Sequence, residues 1–272
     1  MAESPWQALA YGRIVAPRVA RGTAPLNSPR FFVDDDAREL IAGCEFALPP
    51  STAHHAANVL RLRAGDALTL FTGRGGEFAA TLVAVDRRHV KAQIDAFLAI
   101  ERESAISVTL VQSLAANDPM DIALRKAVEL GATAIQPVET ERSARWPGGD
   151  RGAHRLARWR QLAVAACEQC GRNRVPEVQG AIRWSDWLAK RDVVRTGIVL
   201  SPSGARSLAE LPRPSNGIDI AVGAEGGFTD AEIAAAAAAG VVAVRLGPRV
   251  VRTETAGVAA LASIHALWGD FR

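Results

Sequence analysis

Two short segments gather residue types that can hold a small molecule and stabilise charge. Gly223-Ala-Glu-Gly-Gly-Phe228 places three glycines and one carboxylate within a few residues. Glycine removes the side chain where backbone must come close to something, and it permits positive φ. Leu246-Gly-Pro-Arg-Val-Val-Arg-Thr-Glu-Thr-Ala256 sets Arg249, Arg252, Thr253, Glu254 and Thr255 between an apolar strand-like run and an apolar helix-like run. So many polar groups at such a junction suggest a lined site. A third segment, Ser201-Pro-Ser-Gly204, follows another short apolar run. The plain structural alternatives are a tight strand-to-helix turn at Gly223–Gly227 and a helix start capped by Thr253 or Thr255.

Several chemistries are set aside by what these segments lack. The glycines do not form G-x-G-x-x-G, they lie far from the first strand of their domain, and the lysine of a phosphate-cradling loop is missing. No His/Cys/Asp cluster has ligand spacing, so no metal is expected. Cys167-x-x-Cys170 has no second pair and falls inside a helical pattern, which favours core packing. With Cys44 it makes three cysteines, a sparse and odd count that suggests a reducing, cytoplasmic compartment.

The elements that must position these loops follow from periodicity. Beyond a polar stretch at Glu101–Ser104, strands and helices alternate. Ser107–Leu114, Ala134–Val138, Gly197–Ser201, Ile218–Val222 and Val241–Leu246 read as strands. Asp118-Pro119 predicts an N-cap followed by proline at the first helical position, with Gly131 as the stop. Leu156, Trp159, Leu162, Ala163, Ala166, Cys167 and Cys170 form one face of a long helix ending at Gly171. Arg151, Arg155 and Arg158 fall on a stripe about 100° round. Thr229-Asp-Ala-Glu232 is a capping box, and a last helix is expected over Ala256–Trp268. This alternation implies an α/β domain with a mainly parallel sheet. In such sheets ligands bind beyond the carboxyl ends of the strands, where all three loops lie.

Before Glu101 the pattern is different. Ala67–Thr72, Phe78–Val85 and His89–Phe97 read as strands, with one short helix at Thr52–Leu60 and a hairpin turn at Gly73–Gly76. A small β-barrel fits these signals. His54, His55, Arg61 and Arg63 form either a phosphate-binding edge or a solvated helix face. The expected organisation is a loose extension over 1–27, a barrel over 28–103 and an α/β domain over 104–272. The extension has no apolar core of a secretory signal. No run of eighteen apolar residues occurs, so no membrane span is expected. The net charge is +3, from 32 Lys+Arg and 29 Asp+Glu. That permits a nucleic-acid partner without arguing for one.

Read together, Gly223-Ala-Glu-Gly-Gly227 and Leu246–Ala256 resemble the RsmE family of 16S ribosomal RNA uridine-N3 methyltransferases. Arg30-Phe-Phe32, Val59-Leu-Arg-Leu62 with Gly65-Asp66, Phe71-x-Gly73 with Glu77-Phe78, Lys126–Gly131, Glu141-Arg-Ser143 and Ala166–Pro176 carry the likeness along the chain. It departs at Ala224, where the family usually has proline, and at Ala116-Asn-Asp-Pro119, where relatives often carry basic residues.

The resemblance implies a PUA-like RNA-binding barrel followed by a SPOUT-class, trefoil-knotted α/β domain that works as a homodimer. It implies S-adenosyl-L-methionine as cofactor, held by Leu200, Ser201, Gly223, Gly226, Gly227, Leu246, Gly247, Val251 and Thr253. The partner would be ribosomal RNA or the small ribosomal subunit, contacted through Arg30, His55, Arg61 and Arg172. For methyl transfer to uracil N3, Arg252 would stabilise the developing anion, and Glu225 or Glu254 would accept the proton unless they serve as acceptors for backbone N–H groups. Two alternatives stand beside this reading. One is a related knotted methyltransferase acting on another RNA such as tRNA. The other is a non-catalytic RNA-binding or ribosome-assembly protein on the same fold.

Overall fold

The computed structural model describes residues 28–34, 40–86 and 89–271; the expected extension over 1–27 lies outside them. The chain divides into two compact units between Glu101 and Arg102.

The first unit contains β1 (Arg30–Phe32), β2 (Glu45–Ala47), α1 (Pro50–His54), β3 (Ala67–Phe71), β4 (Glu77–Val85) and β5 (Val90–Leu98). Its five strands are ordered β1-β3-β4-β5-β2. The β1–β3 pair is parallel and the other three are antiparallel. The turn after β3 carries Gly73, Gly75 and Gly76 at positive φ and joins two antiparallel strands, as a hairpin requires. The expected helix over Thr52–Leu60 is shorter and two-part. Regular α-helix covers Pro50–His54, and a π-type turn covers His55–Val59. The core is built from Phe31, Phe46, Leu68, Leu70, Leu82 and Ile94.

The second unit contains β6 (Val108–Ser113), α2 (Asn117–Glu129), β7 (Ala134–Glu139), α3 (Gly149–Cys170), β8 (Glu177–Val178), β9 (Ile182–Arg183), α4 (Trp184–Lys190), β10 (Thr196–Leu200), β11 (Arg206–Ser207), β12 (Ile218–Val222), α5 (Asp230–Ala238), β13 (Val242–Arg245) and α6 (Thr253–Trp268). The sheet order is β11-β13-β10-β12-β6-β7-β8, with β9 also on β7. Every pair in it is parallel. Parallel sheets are covered on both faces, so their strands are apolar runs rather than alternating ones. All five residues of β12 are buried, including Asp219, which accepts from Arg195 Nε at 2.7 Å. The chain leaves β6 toward β7 and β8 on one side, and β12 and β10 lie on the other. The boundary between β6 and β12 is therefore a topological switch point, where α/β sheets hold ligands.

Two helix starts differ from the sequence expectation. Helix α2 begins at Asn117 with Ala116 as N-cap, not at Pro119 after Asp118. The reason is a cap from outside the segment: Ala116 N–H donates to Glu225 Oε1 at 3.2 Å. Helix α6 begins at Thr253 with Arg252 as N-cap, and that N-cap has no side-chain cap bond. The threonines are therefore not the cap, and the Thr253 hydroxyl is engaged elsewhere. By contrast, Thr229 and Glu232 form the expected capping box at α5. Trp159, Ala163, Ala166 and Cys167 are the buried face of α3, which ends at left-handed Gly171. Cys167 packs in that core, and Cys44, Cys167 and Cys170 are all free thiols.

Candidate active site

Beyond the carboxyl ends of β10, β12 and β13 lies a cleft of about 650 Å³. The loop after β10 contributes Leu200, Ser201 and Pro202. The loop after β12 contributes Gly223, Ala224, Glu225, Gly226, Gly227 and Phe228. The loop after β13 contributes Leu246, Gly247, Arg249, Val250, Val251 and Arg252, continued by Thr253 and Glu254 of α6. All the residues expected at the cofactor site are thus brought to one place, together with Arg252 and Glu225. Pro119 of α2 and Ile233 of α5, which sequence reading did not place at the site, also line it.

The cleft's shape depends on backbone packing that side chains would prevent. A Cβ at Gly223 would lie 2.9 Å from the Gly227 Cα, so the loop can fold back on itself only with glycine there. A Cβ at Gly204 would fall 2.6 Å from the Val244 carbonyl carbon, so the loop after β10 rests directly on β13. Arg245 Nη1 also donates to the Gly204 carbonyl, at 3.0 Å.

Hydrogen bonds then tie the loops to one another and to the sheet. The Thr253 hydroxyl donates to the Gly223 carbonyl at 2.6 Å and accepts from Gln112 Nε2 at 2.9 Å. Arg142 Nη1 donates to the Gly226 carbonyl at 3.1 Å. Glu232 accepts from Glu141 N–H at 2.8 Å and from Thr229 N–H at 2.9 Å, which fastens the segment after β7 to the start of α5. The Glu141-Arg-Ser143 motif therefore supports the glycine loop rather than acting alone.

The charged groups of the cleft divide by role. Arg252 is exposed and lines the cleft; its carbonyl accepts from the Thr255 and Ala256 N–H groups, while its guanidinium has no hydrogen bond or ion pair among the described residues. Glu225 is engaged as the cap of α2, which favours its reading as an acceptor for a backbone N–H. Glu254 lines the cleft half-buried in the first turn of α6. Among the described residues no group of three His, Cys, Asp or Glu side chains is placed to hold a metal ion.

The four expected RNA contacts do not share one surface character. Arg30 Nη1 pairs with buried Glu77 at 2.7 Å, and its guanidinium lies 5.2 Å from the Phe71 ring centre. Arg172 is 5% exposed, donates to both Glu103 oxygens, and also donates to the Val128 and Ala132 carbonyls. Arg30 is thus part-buried and engaged by Glu77 and Phe71, while burial and four donated bonds give Arg172 an internal structural role. Their partners lie 47 and 69 residues away in sequence, beyond the reach of a local pattern. His55 and Arg61 are exposed on the first unit. The His55 ring sits edge-on to Phe31, with centroids 5.6 Å apart. Arg61 has φ +55°, and it is the only residue other than glycine at positive φ among those described.

Comparison with known proteins fits this geometry. Residues 102–265 match the model of an RNA methyltransferase domain, and residues 48–95 match that of an RNA methyltransferase PUA domain. A ribosomal RNA small subunit methyltransferase E from Synechocystis is 34% identical, over 85% of this chain and 76% of its own length. The chain belongs to the ribosomal RNA small subunit methyltransferase E family. A Buchnera member of that family is 28% identical over 90% of this chain and 95% of its own. The crystal structure of a small subunit methyltransferase E from Neisseria gonorrhoeae, bound to S-adenosyl methionine, is 41% identical. It superposes with a TM-score of 0.84 over 90% of this chain and all of that one. A putative methyltransferase from Legionella pneumophila, in complex with the bound cofactor SAM, is 30% identical with a TM-score of 0.85 over the same shares. The fold is accordingly a PUA-like unit followed by a SPOUT-class methyltransferase unit.

Within this family assignment, sequence reading missed Gln112 and Arg142 as members of the site. Gln112 is embedded in an apolar strand, where it reads as one more core position. Its only sequence signal was polarity at the carboxyl end of a buried run.

Proposed function

We propose that this chain transfers the methyl group of S-adenosylmethionine to N3 of a uridine in 16S ribosomal RNA. The observation that carries the reading is the cleft itself: three glycine-bearing loops at a parallel-sheet switch point, with the unpaired cation Arg252 at the rim. The residues fit the cofactor. Glycine backbone and the apolar side chains Leu200, Leu246, Val251 and Phe228 suit an adenosine, while Ser201 and Glu254 offer polar groups for its hydroxyls and amino groups. When bound, S-adenosylmethionine supplies an electrophilic methyl group on a sulfonium.

The remaining chemistry falls to the chain. A methyl transfer to nitrogen needs in-line placement more than covalent help. Uracil N3 lies on the pairing edge and carries a proton, so the base must be unpaired and presented outward, and that proton must leave. Arg252, an exposed and unpaired cation at the cleft, would stabilise the uracil anion that develops. Glu254 is the better proton acceptor of the two glutamates, because Glu225 is occupied at the start of α2.

His55 and Arg61 offer RNA contacts on the PUA-like unit, which would leave the second unit to do the chemistry. A homodimer is supported by apolar side chains that stay exposed in and beside the cleft and at the end of α6: Val250 at 80%, Leu267 at 37% and Phe271 at 50%. Light scattering at micromolar concentration should therefore give twice the chain mass. A cytoplasmic location follows from a ribosomal RNA substrate; no helix among the described residues is long and apolar enough to cross a membrane.

Nucleoside mass spectrometry of ribosomal RNA from a strain lacking this gene tests the function. The reading expects 3-methyluridine to vanish from the small-subunit RNA and to return with the wild-type gene but not with Arg252→Ala. Unchanged 3-methyluridine, or loss of a different mark, would overturn it.

A further inference from the structure

The carboxyl end of strand β6 holds a polar group that the reaction does not use. Gln112 is fully buried, between Val111 and Ser113 on the strand next to β12, and its register partner is Val222. Its Nε2 donates to Thr253 Oγ1 at 2.9 Å and to the Ser113 carbonyl at 3.1 Å. Its Oε1 is buried with no partner among the described residues. An unpaired buried amide oxygen is destabilising. Leucine at this position would pack as Leu110 and Leu114 do and avoid that cost. The amide donor must therefore contribute something that an apolar side chain cannot.

The direction of the hydrogen bonds shows what that is. A hydroxyl has one proton. Because Gln112 donates to Thr253 Oγ1, the hydroxyl proton is free to point only outward, and it is received by the Gly223 carbonyl at 2.6 Å. The relay runs from β6 through the first residue of α6 to the first residue of the glycine loop. It joins segments 141 and 30 residues apart in sequence. A trans peptide is planar, so fixing the Gly223 carbonyl also fixes the Ala224 N–H on the opposite side of the same plane. Ala224 lines the cleft.

We infer that Gln112 is a positioning residue: by setting the polarity of the Gln112–Thr253–Gly223 relay, it holds the glycine loop and the start of α6 in the one arrangement that binds the cofactor. This rests on the proposal that the cleft binds S-adenosylmethionine.

The test replaces the donor with an acceptor of the same shape. Ionised Glu in Gln112→Glu accepts a hydrogen bond from the Thr253 hydroxyl and so turns that O–H away from the Gly223 carbonyl. Protonated Glu can donate as the amide does. Burial among apolar neighbours raises the carboxyl pKa, so the switch lies within reach of ordinary buffers. S-adenosylmethionine affinity is measured by calorimetry between pH 5.5 and 8 on the full-length protein. At pH 8 Gln112→Glu should bind about tenfold or more weakly than wild type, and the deficit should shrink as pH falls, while wild-type affinity changes little. That pH dependence separates a relay from a packing defect.

Gln112→Met and Thr253→Val cut the relay without adding charge and guard against misfolding of the glutamate variant. Their double variant should lose no more affinity than the worse single one, because both break one relay. Equal affinity of Gln112→Glu and wild type at pH 8, a pH-independent deficit, or additive losses in the double variant would each overturn the inference. If wild type itself binds no S-adenosylmethionine, the functional proposal fails instead.

Discussion

Arg172 was expected on the RNA and sits inside the protein, so replacing it makes a decisive experiment. Arg172→Met removes both bonds to Glu103 and those to the Val128 and Ala132 carbonyls. Breaking a buried pair from one side typically costs about 3–5 kcal/mol, because the other charge is left behind. Two features put this case at the low end. The Glu103 side chain keeps 16% of its exposure, so water reaches it. The Val128 carbonyl retains the Gly131 N–H at 3.0 Å. The expected loss is about 3 kcal/mol. With a urea dependence of about 2–3 kcal/mol per molar, the midpoint falls by about 1–1.5 M. Tryptophan fluorescence reports the right unit, since five of the six tryptophans lie beyond residue 102. Adding Glu103→Leu to Arg172→Met should recover most of the loss, because replacing both members of a buried pair is far milder than orphaning one. A midpoint within about 0.2 M of wild type, together with weaker binding to a 16S RNA fragment and a salt dependence shallower by about one, would make Arg172 a phosphate contact and refute the argument.

Three further outcomes follow. Arg252→Ala should slow single-turnover methyl transfer at saturating RNA and cofactor by about a hundredfold to a thousandfold with little change in S-adenosylmethionine affinity, and Arg252→Lys should recover only part; a normal rate at saturation removes Arg252 from the chemistry. Glu225→Ala should cost about 1 kcal/mol in urea unfolding through loss of the α2 cap while keeping the saturated rate within a few fold; a hundredfold slower rate would make Glu225 the proton acceptor after all. His265 is fully buried on α6, with Ser104 and Asp270 at its Nδ1. Burial holds its pKa below the ordinary value, with Arg172 adding to the effect and Asp270 opposing it. The unfolded chain therefore takes up the proton first as pH falls, so the contribution of neutral His265 is present above about pH 6.5 and is lost as pH falls through the folded value. Urea midpoints at pH 7.5 and 5.5 should diverge more for wild type than for His265→Gln, and identical pH dependence in the two would dismiss the histidine.

What could be read from the sequence was what is local. The glycine loop, the Arg/Thr loop and the loop after β10 were visible because each interrupts an apolar run within a few residues. The α3 stripe and the Thr229–Glu232 box were visible because helical spacing and capping act within one or two turns. The two-residue strands β8, β9 and β11 carry too little pattern to announce themselves, and they exist because β7 and β13 offer edges to pair with. The cap of α2 comes from a residue 109 positions away, so a local rule chose Asp118 instead. Arg30 and Arg172 look like surface cations until the fold brings Glu77 and Glu103 to them. Gln112 was invisible for the opposite reason, since its neighbours in β6 made it look like core.

Strand β6 has consequences for how the chain is made. One of its neighbours, β7, follows after a single helix, but the other, β12, pairs Val108 with Ile218. At about 5–20 residues per second on a ribosome, that second edge waits on the order of 5–20 s for its partner. During the wait Val108-Thr-Leu-Val111 presents unpaired backbone beside apolar side chains, the features that recruit a strand from another molecule. Emergence of β12 ends that hazard, and Gly223 follows it immediately. The step that protects the nascent chain from aggregation is therefore also the step that begins to build the cleft.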